Sequence, residues 1–247
     1  MFSFTSKVRY SEVDAHLRLT IPALVDYLQD CSTFHGEAVG RGFDHIARTQ
    51  RAWLLAGWEI VIDRMPCFGE EIRVSTWATG FKGLLASRNF TVCAAGNAGC
   101  GQPLVRADSR WFMFDAVAGK PIRIPEEESG PYLPDVEHDA PLDLPRFPRH
   151  IRADGSGEAA APVTVTTAHI DTNHHVNNAQ YVSMALGALP EGTAERVRRL
   201  DVQYREAAKL GDMVFPHVHE APDGRIVTLD DGAGAAYAVV RLEERTN

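Results

Sequence analysis

The sequence predicts an α+β protein in which one helix followed by several antiparallel strands occurs twice. Three observations carry this expectation: apolar residues at helical spacing after residue 20, strand-like runs between turn signals, and the return of the same order after a proline-rich stretch. Half of the 14 prolines lie between Pro121 and Pro148. Residues 126–160 show no apolar periodicity of either kind and read as a connector. The expected units are therefore 1–125 and 161–247.

The first unit opens on a strand, "SFTSKVRYSE". In "LTIPALVDYLQDCSTFHGEAVG", Ile21, Leu24, Val25, Leu28, Cys31 and His35 recur at helical spacing. Thr20 suits the N-cap, Pro22 the first turn, and Gly40 or Gly42 the end. Four strand-like runs follow: "WLLAGWEIVID", "EEIRVSTWATG", "LLASRNFTVCAA" and "LVRADSRWFMFD". The second unit repeats the order in shorter form. "APVTVTTAHID" reads as a strand and "VNNAQYVSMALGAL" as a helix. "RVRRLDVQYRE", "DMVFPHVHE", "RIVTLDD" and "AAYAVVRLEE" read as strands. Setting "VDAHLRLTIPAL" over "IDTNHHVNNAQY" pairs Asp14 with Asp171 and His16 with Asn173. Pairing the two Gly-acidic turns puts Arg64 opposite Glu206.

With 247 residues, 45% hydrophobic and 23% charged, the chain has the makeup of a globular protein of one large or two smaller domains. No apolar run approaches the roughly 18 residues of a membrane span. The first residues resemble neither a signal nor a transit peptide, so a cytoplasmic location is expected. A net charge of −8 argues against nucleic acid as a partner. Cys31, Cys67, Cys93 and Cys100 have no CxxC spacing and are expected as reduced thiols.

The chemistry concentrates in "HIDTNHHVNNAQY". If this segment is extended, Asp171, Asn173 and His175 share one side. Along "LDVQYRE" the same rule puts Leu200, Val202, Tyr204 and Glu206 on one face. A carboxylate ending a core-facing row is costly to bury without a partner, and an imidazole or amide from the first segment would serve. Such a set suits acyl transfer to water. Backbone N–H groups where Asn177 and Asn178 begin the helix would hold the developing oxyanion. His175 or Glu206 would take the proton from water. Asp171 would orient the imidazole or attack the carbonyl itself, and Asn173 would place the water or the carbonyl. The competing structural reading makes Asp171 and Asn173 turn residues and Asn177 a simple cap. His169, His174, His175, His217 and His219 lack tight ligand spacing, so neither a metal nor another cofactor is expected. The basic cluster Arg196, Arg198 and Arg199 reads first as a solvated edge.

"DTNHHVNNAQY" followed by "VQYREAAKLGD" resembles the acyl-acyl carrier protein thioesterases of bacteria and plant plastids. "WLLAGWEIVIDRMPCFGEEIRVSTWATGFKG" and "RADSRWFMFDAVAGKPIRIPEE" are similar to that family's first half. The resemblance implies a tandem hotdog fold, each unit an antiparallel sheet around a long helix, with activity in the second. It implies hydrolysis of fatty acyl-carrier-protein thioesters to free fatty acid, the partner being a carrier protein bearing an acyl phosphopantetheine thioester. It assigns catalysis to Asp171, Asn173, His175 and Glu206. Plant members carry a cysteine after the glutamate; here Ala207 stands there, and no cysteine occurs in the second half, so water or Asp171 must attack. In the first unit, His16, Arg18 and Arg64 replace Asn173, His175 and Glu206, so that copy is expected to be inactive. Trp53, Trp58 and Met65 are candidates for an acyl-chain wall.

The alternatives are an acyl-CoA thioesterase and a non-catalytic acyl-binding protein. A hotdog dehydratase is disfavoured, because His175 lies four residues after Asp171 and no proline follows Asn173. An acidic carrier would dock on Arg196, Arg198 and Arg199, or on Arg146, Arg149 and Arg152. A homodimer, the acyl chain length and the choice between water and Asp171 stay open.

Overall fold

A computed structural model describes residues 1–96, 101–145 and 150–245. The chain forms two compact units. Residues 1–19, 26–57 and 63–145 make the first, and residues 20–25, 58–62 and 146–247 make the second.

In the first unit β1 (Phe2–Lys7) pairs antiparallel with β3 (Glu71–Lys82). β3 pairs with β4 (Leu85–Ala94), β4 with β5 (Val105–Asp115), and β5 with the short β6 (Lys120–Ile122). β2 (Arg51–Ile62) belongs to this unit as far as Gly57. The predicted helix is α1 (Ile21–Ala38), and the Thr20 hydroxyl accepts from the Ala23 N–H at 3.3 Å, as an N-cap should. Leu28 and Cys31 are fully buried, and the Cys31 thiol donates to the Val74 carbonyl of β3, which seats the helix on the sheet. α2 (Phe43–Thr49) was not foreseen; its seven residues span too few turns to show an apolar stripe.

The expected connector carries structure of its own: α3 (Glu126–Ser129), a 3-10 turn (Gly130–Tyr132) and α4 (Leu133–His138). Its buried residues are mostly polar, which is why apolar periodicity missed it. Glu128, Tyr132 and Asp135 are all buried. Asp135 accepts from the Ala78 N–H, and the Tyr132 ring lies under the Arg88 guanidinium at 5.2 Å. Arg88 in turn meets His35 Nδ1 at 2.9 Å and Thr76 Oγ1 at 3.2 Å. Burial, and then the charge of Arg88, pushes the His35 imidazole down to about 4.

The second unit pairs β9 (Val197–Tyr204), β12 (Ala236–Glu244), β11 (Gly224–Asp230) and β10 (Met213–Ala221) in that spatial order. β7 (Glu158–Ala159) and β8 (Val163–Thr164) both add to β10. α5 (Asn178–Gly187) packs on β11 and β12, with Val182 and Ala185 fully buried. α6 (Thr193–Arg196) leads into β9. The strand expected over "APVTVTTAHID" shrinks to β8, because residues 167–169 turn into a 3-10 helix.

β9 departs from simple alternation. Asp201 is as buried as Leu200 and Val202, so both faces are covered. The Arg199 guanidinium reaches Asp201 at 3.0 Å, Glu59 at 3.4 Å and Glu243 at 3.7 Å, forming a buried charge network in the second unit. Paired this way, the carboxylates can be buried without stranding a lone charge. Among the cysteines, Cys31 and Cys67 are free thiols. Cys93 is disulfide-bonded, against expectation, and Cys100 lies outside the described residues. Among the described residues no helix is long and apolar enough to cross a membrane.

Candidate active site

The segment bearing Asp171, Asn173 and His175 is a closed turn rather than an extended strand. Ile170 and Val176 bridge antiparallel, and the Asp171 N–H donates to the His175 carbonyl at 2.8 Å. The His174 N–H returns to the Asp171 carbonyl at 3.1 Å, with His174 itself at φ 61°. One Asp171 carboxylate oxygen accepts from the Asn173 N–H at 2.8 Å, and the other meets the Asn173 carboxamide at 3.4 Å. A side chain that bonds backbone two residues ahead lets a short polar sequence close so tight a loop. The structural role suspected for Asp171 is therefore real. It leaves the Asn173 side chain exposed and the His175 side chain half-buried.

Glu206 is not at the end of a core-facing strand row. β9 stops at Tyr204, and Glu206 stands exposed in the loop beyond it. The argument from burial cost therefore does not apply to this carboxylate. The two segments nevertheless meet through their backbones: the Val176 N–H donates to the Ala208 carbonyl at 3.0 Å. That bond joins the residue after His175 to the second residue after Glu206.

Asn177 caps α5, its side chain accepting from the Ala179 N–H at 2.8 Å. Its own N–H goes to the His169 carbonyl, and the Gln180 N–H goes to the Asn177 carbonyl. These donors at the helix start are spent inside the fold. That takes the Asn177, Ala179 and Gln180 N–H groups out of the oxyanion role expected around Asn177 and Asn178 and gives Asn177 the work of a cap.

Two tyrosines that the sequence reading passed over frame the same place. The Tyr181 hydroxyl accepts from the Ala208 N–H at 2.8 Å, and the Tyr204 hydroxyl donates to the Asn178 carbonyl at 3.1 Å. Their rings lie 5.9 Å apart. Burial pushes the Tyr181 phenol up to about 12, so it stays protonated in the fold. Tyr181 closes the motif "NNAQY" and Tyr204 precedes "REA", so both were in view as sequence but not as partners.

Of the suggested chain-wall residues, Trp58 is fully buried and Met65 half-buried. Trp53 lies against Phe81 and Tyr132, with its indole nitrogen buried and unpaired. Among the basic residues, Arg196 bonds Glu244 and Arg199 is committed to the buried network, whereas Arg198 is exposed and lies 3.6 Å from Glu243. Arg152 is exposed, and Arg146 and Arg149 lie outside the described residues.

Two helix-and-sheet units, the second carrying a polar turn bonded to a glutamate-bearing loop, define a tandem hotdog protein. Comparison with known proteins places it more narrowly. The acyl-ACP thioesterase N-terminal domain matches residues 1–132 and the acyl-ACP thioesterase C-terminal domain matches residues 155–239, so the chain belongs to this family. It is 27% identical over 217 residues to a chloroplastic palmitoyl-acyl carrier protein thioesterase of Gossypium hirsutum, covering 83% of this chain and 51% of that one. It is 25% identical to a chloroplastic acyl-[acyl-carrier-protein] hydrolase of Cuphea viscosissima over 99% of this chain and 60% of the other. The chain thus spans about half the length of the curated relatives it matches. Among solved structures, an acyl-ACP thioesterase from Bacteroides thetaiotaomicron superposes with a TM-score of 0.87 at 24% identity, covering 98% of this chain and 97% of that one. The 12:0-ACP thioesterase of Umbellularia californica superposes at 0.84 with 20% identity, covering 100% and 97%.

Proposed function

We propose that the chain hydrolyses fatty acyl thioesters of acyl carrier protein, using Asp171, Asn173, His175 and Glu206 in the second unit. Family membership supports the reaction class, and the Val176–Ala208 backbone bond is the observation that carries the site. Water adds to the thioester carbonyl, the C–S bond breaks, and the proton taken from water is returned to the leaving thiolate. His175 or Glu206 serves as the base, a role worth about 10²–10⁴-fold. The Asn173 carboxamide polarises the carbonyl, since the N–H groups of Asn177, Ala179 and Gln180 are already bonded within the fold. Asp171 holds the turn, and with both oxygens on Asn173 it is better placed to orient than to attack. Trp53, Trp58 and Met65 would line the acyl chain.

The test is hydrolysis of one acyl group presented on carrier protein and on coenzyme A. Faster turnover of the carrier-protein substrate is expected. Equal or faster turnover of the coenzyme A substrate would reassign the chain as an acyl-CoA thioesterase, and binding without cleavage of either would make it an acyl-binding protein. Carrier docking falls to exposed Arg198 and Arg152, so affinity should weaken as salt rises. A salt-independent affinity would remove that contact.

A further inference from the structure

We infer that Tyr181 is a positioning residue for the Glu206 loop, tying it to the helix that follows the Asp171–His175 turn. The inference rests on the hydrolase reading above and goes beyond it, since the chemistry proposed for the site gives no role to the tyrosine that closes the motif "NNAQY".

Three observations support it. First, the Ala208 peptide is held at both ends. Its N–H donates to the Tyr181 hydroxyl at 2.8 Å, while its carbonyl accepts from Val176 at 3.0 Å. Glu206, two residues earlier, is exposed in the loop that this peptide anchors. Second, Tyr181 is buried at 3% exposure and sits one turn into α5, just beyond the Asn177 cap. Its ring leans on Tyr204, whose hydroxyl bonds the carbonyl of Asn178. The last strand residue before Glu206 and the first helix residue after the turn are thereby joined.

The third observation separates positioning from mere folding. The first unit closes the equivalent turn with the equivalent bond, the Leu19 N–H to the Pro66 carbonyl at 2.8 Å. At the position of Tyr181 the repeat has Leu24, and at the position of Ala208 it has Pro66, which has no N–H to give. Tyr204 is likewise replaced by Ile62. Donor and acceptor are absent together, in the copy that also lacks His175 and Glu206. The turn therefore forms without the tyrosine; the bond is found where a carboxylate must be held.

Two variants test this. Tyr181→Phe removes only the hydroxyl, and Tyr181→Leu with Ala208→Pro rebuilds the residue pair of the first repeat with no donor left unsatisfied. Both are expected to fold, with kcat about tenfold lower or worse and KM within about twofold, as misplacement of a reacting group by a fraction of an ångström would produce. The pH–rate profile should also shift on the limb that reports the base. Hydrogen exchange, which needs no turnover, should quicken about tenfold across residues 204–210 in Tyr181→Phe while β11 and β12 keep parental protection. Parental exchange in that loop, or a folded double variant with parental kcat and pH profile, would overturn the role. An inactive parent with the loop loosened would instead sink the hydrolase reading and leave the tether standing.

Discussion

The turn at residues 13–19 and the turn at residues 170–176 are nearly the same object built from different sequences. Asp14 accepts from the His16 N–H at 2.8 Å as Asp171 accepts from the Asn173 N–H at 2.8 Å. Leu17 takes φ 60° where His174 takes 61°. Before each turn a 3-10 helix closes on its own start, Glu12 N–H to the Arg9 carbonyl and His169 N–H to the Thr166 carbonyl. Val8 exchanges two backbone bonds with Gly69 and Glu70, as Val165 does with Gly211 and Asp212. Even the side-chain bonds repeat, with the Glu70 carboxylate accepting from the Cys67 N–H and that of Asp212 from the Lys209 N–H. What differs is the chemistry displayed. The first copy shows Leu17, Arg18 and Arg64, and that arginine is bound to Glu70. The second shows Asn173, His175 and an exposed Glu206. The lesson is that one backbone frame can hold two different sets of side chains; on the function proposed above, only the second set is catalytic.

The largest effect should come from unloading it. Glu206→Ala and His175→Ala are each expected to lower turnover about 10²–10⁴-fold with little change in melting temperature. Parental rates in both would remove the catalytic assignment. Next comes the attempt to load the first copy. His16→Asn, Arg18→His and Arg64→Glu, made in a Glu206→Ala background, should restore nothing, because Leu24 and Pro66 cannot form the tyrosine–amide bond. Recovery to within about tenfold of the parent would show that the turn and three side chains suffice.

A third experiment uses a feature of the first half alone. α1 is 18 residues long and reaches His35, whereas α5 ends after 10, so the second unit has no counterpart. Buried His35 stays neutral down to about 4, against 6.5 when exposed. The unfolded chain therefore binds more protons across that window, and its contribution to stability is complete above 6.5 and lost as pH falls towards 4. His35→Gln should flatten the fall in unfolding free energy from urea titrations between neutral pH and pH 5 by on the order of 1–2 kcal/mol. An unchanged slope would show that the imidazole titrates alike in the folded and unfolded chains.

The smallest effect should separate cap from site. Thr20→Ala and Asn177→Ala should each cost about 1 kcal/mol. Only Asn177→Ala should also slow turnover, because its cap sets the end of the catalytic turn. Equal kinetics in the two variants would detach that helix start from the chemistry.

Helices and strands with clear periodicity were legible in the chain before any coordinates: α1, β2 to β5, and β9 to β12 lie where apolar spacing and turn residues put them. The repeat was legible too, since Asp14 over Asp171 and Arg64 over Glu206 recur as equivalent positions in the hydrogen-bond pattern. Elements held by polar burial were not. α3 and α4 rest on Glu128, Tyr132 and Asp135, and the middle of β9 buries Asp201, none of which an apolar pattern can announce. In the candidate site, the residue types were readable but their arrangement was misjudged. Alternation suggested an extended Asp171–His175 segment, whereas local side-chain-to-backbone bonds close it into a turn.

Sequence alone determined which chemical groups this protein owns, that they lie in its second half, and that no cysteine there can act as nucleophile. Tertiary structure decided how they are arranged and bonded. It spent the helix-start donors on a cap, sank Arg199 among carboxylates, and left Glu206 in solvent beside a tethered loop. The physical reason is that hydrogen bonds between residues some thirty positions apart depend on where strands end and helices begin. A linear pattern fixes the partners' identities but not their meeting.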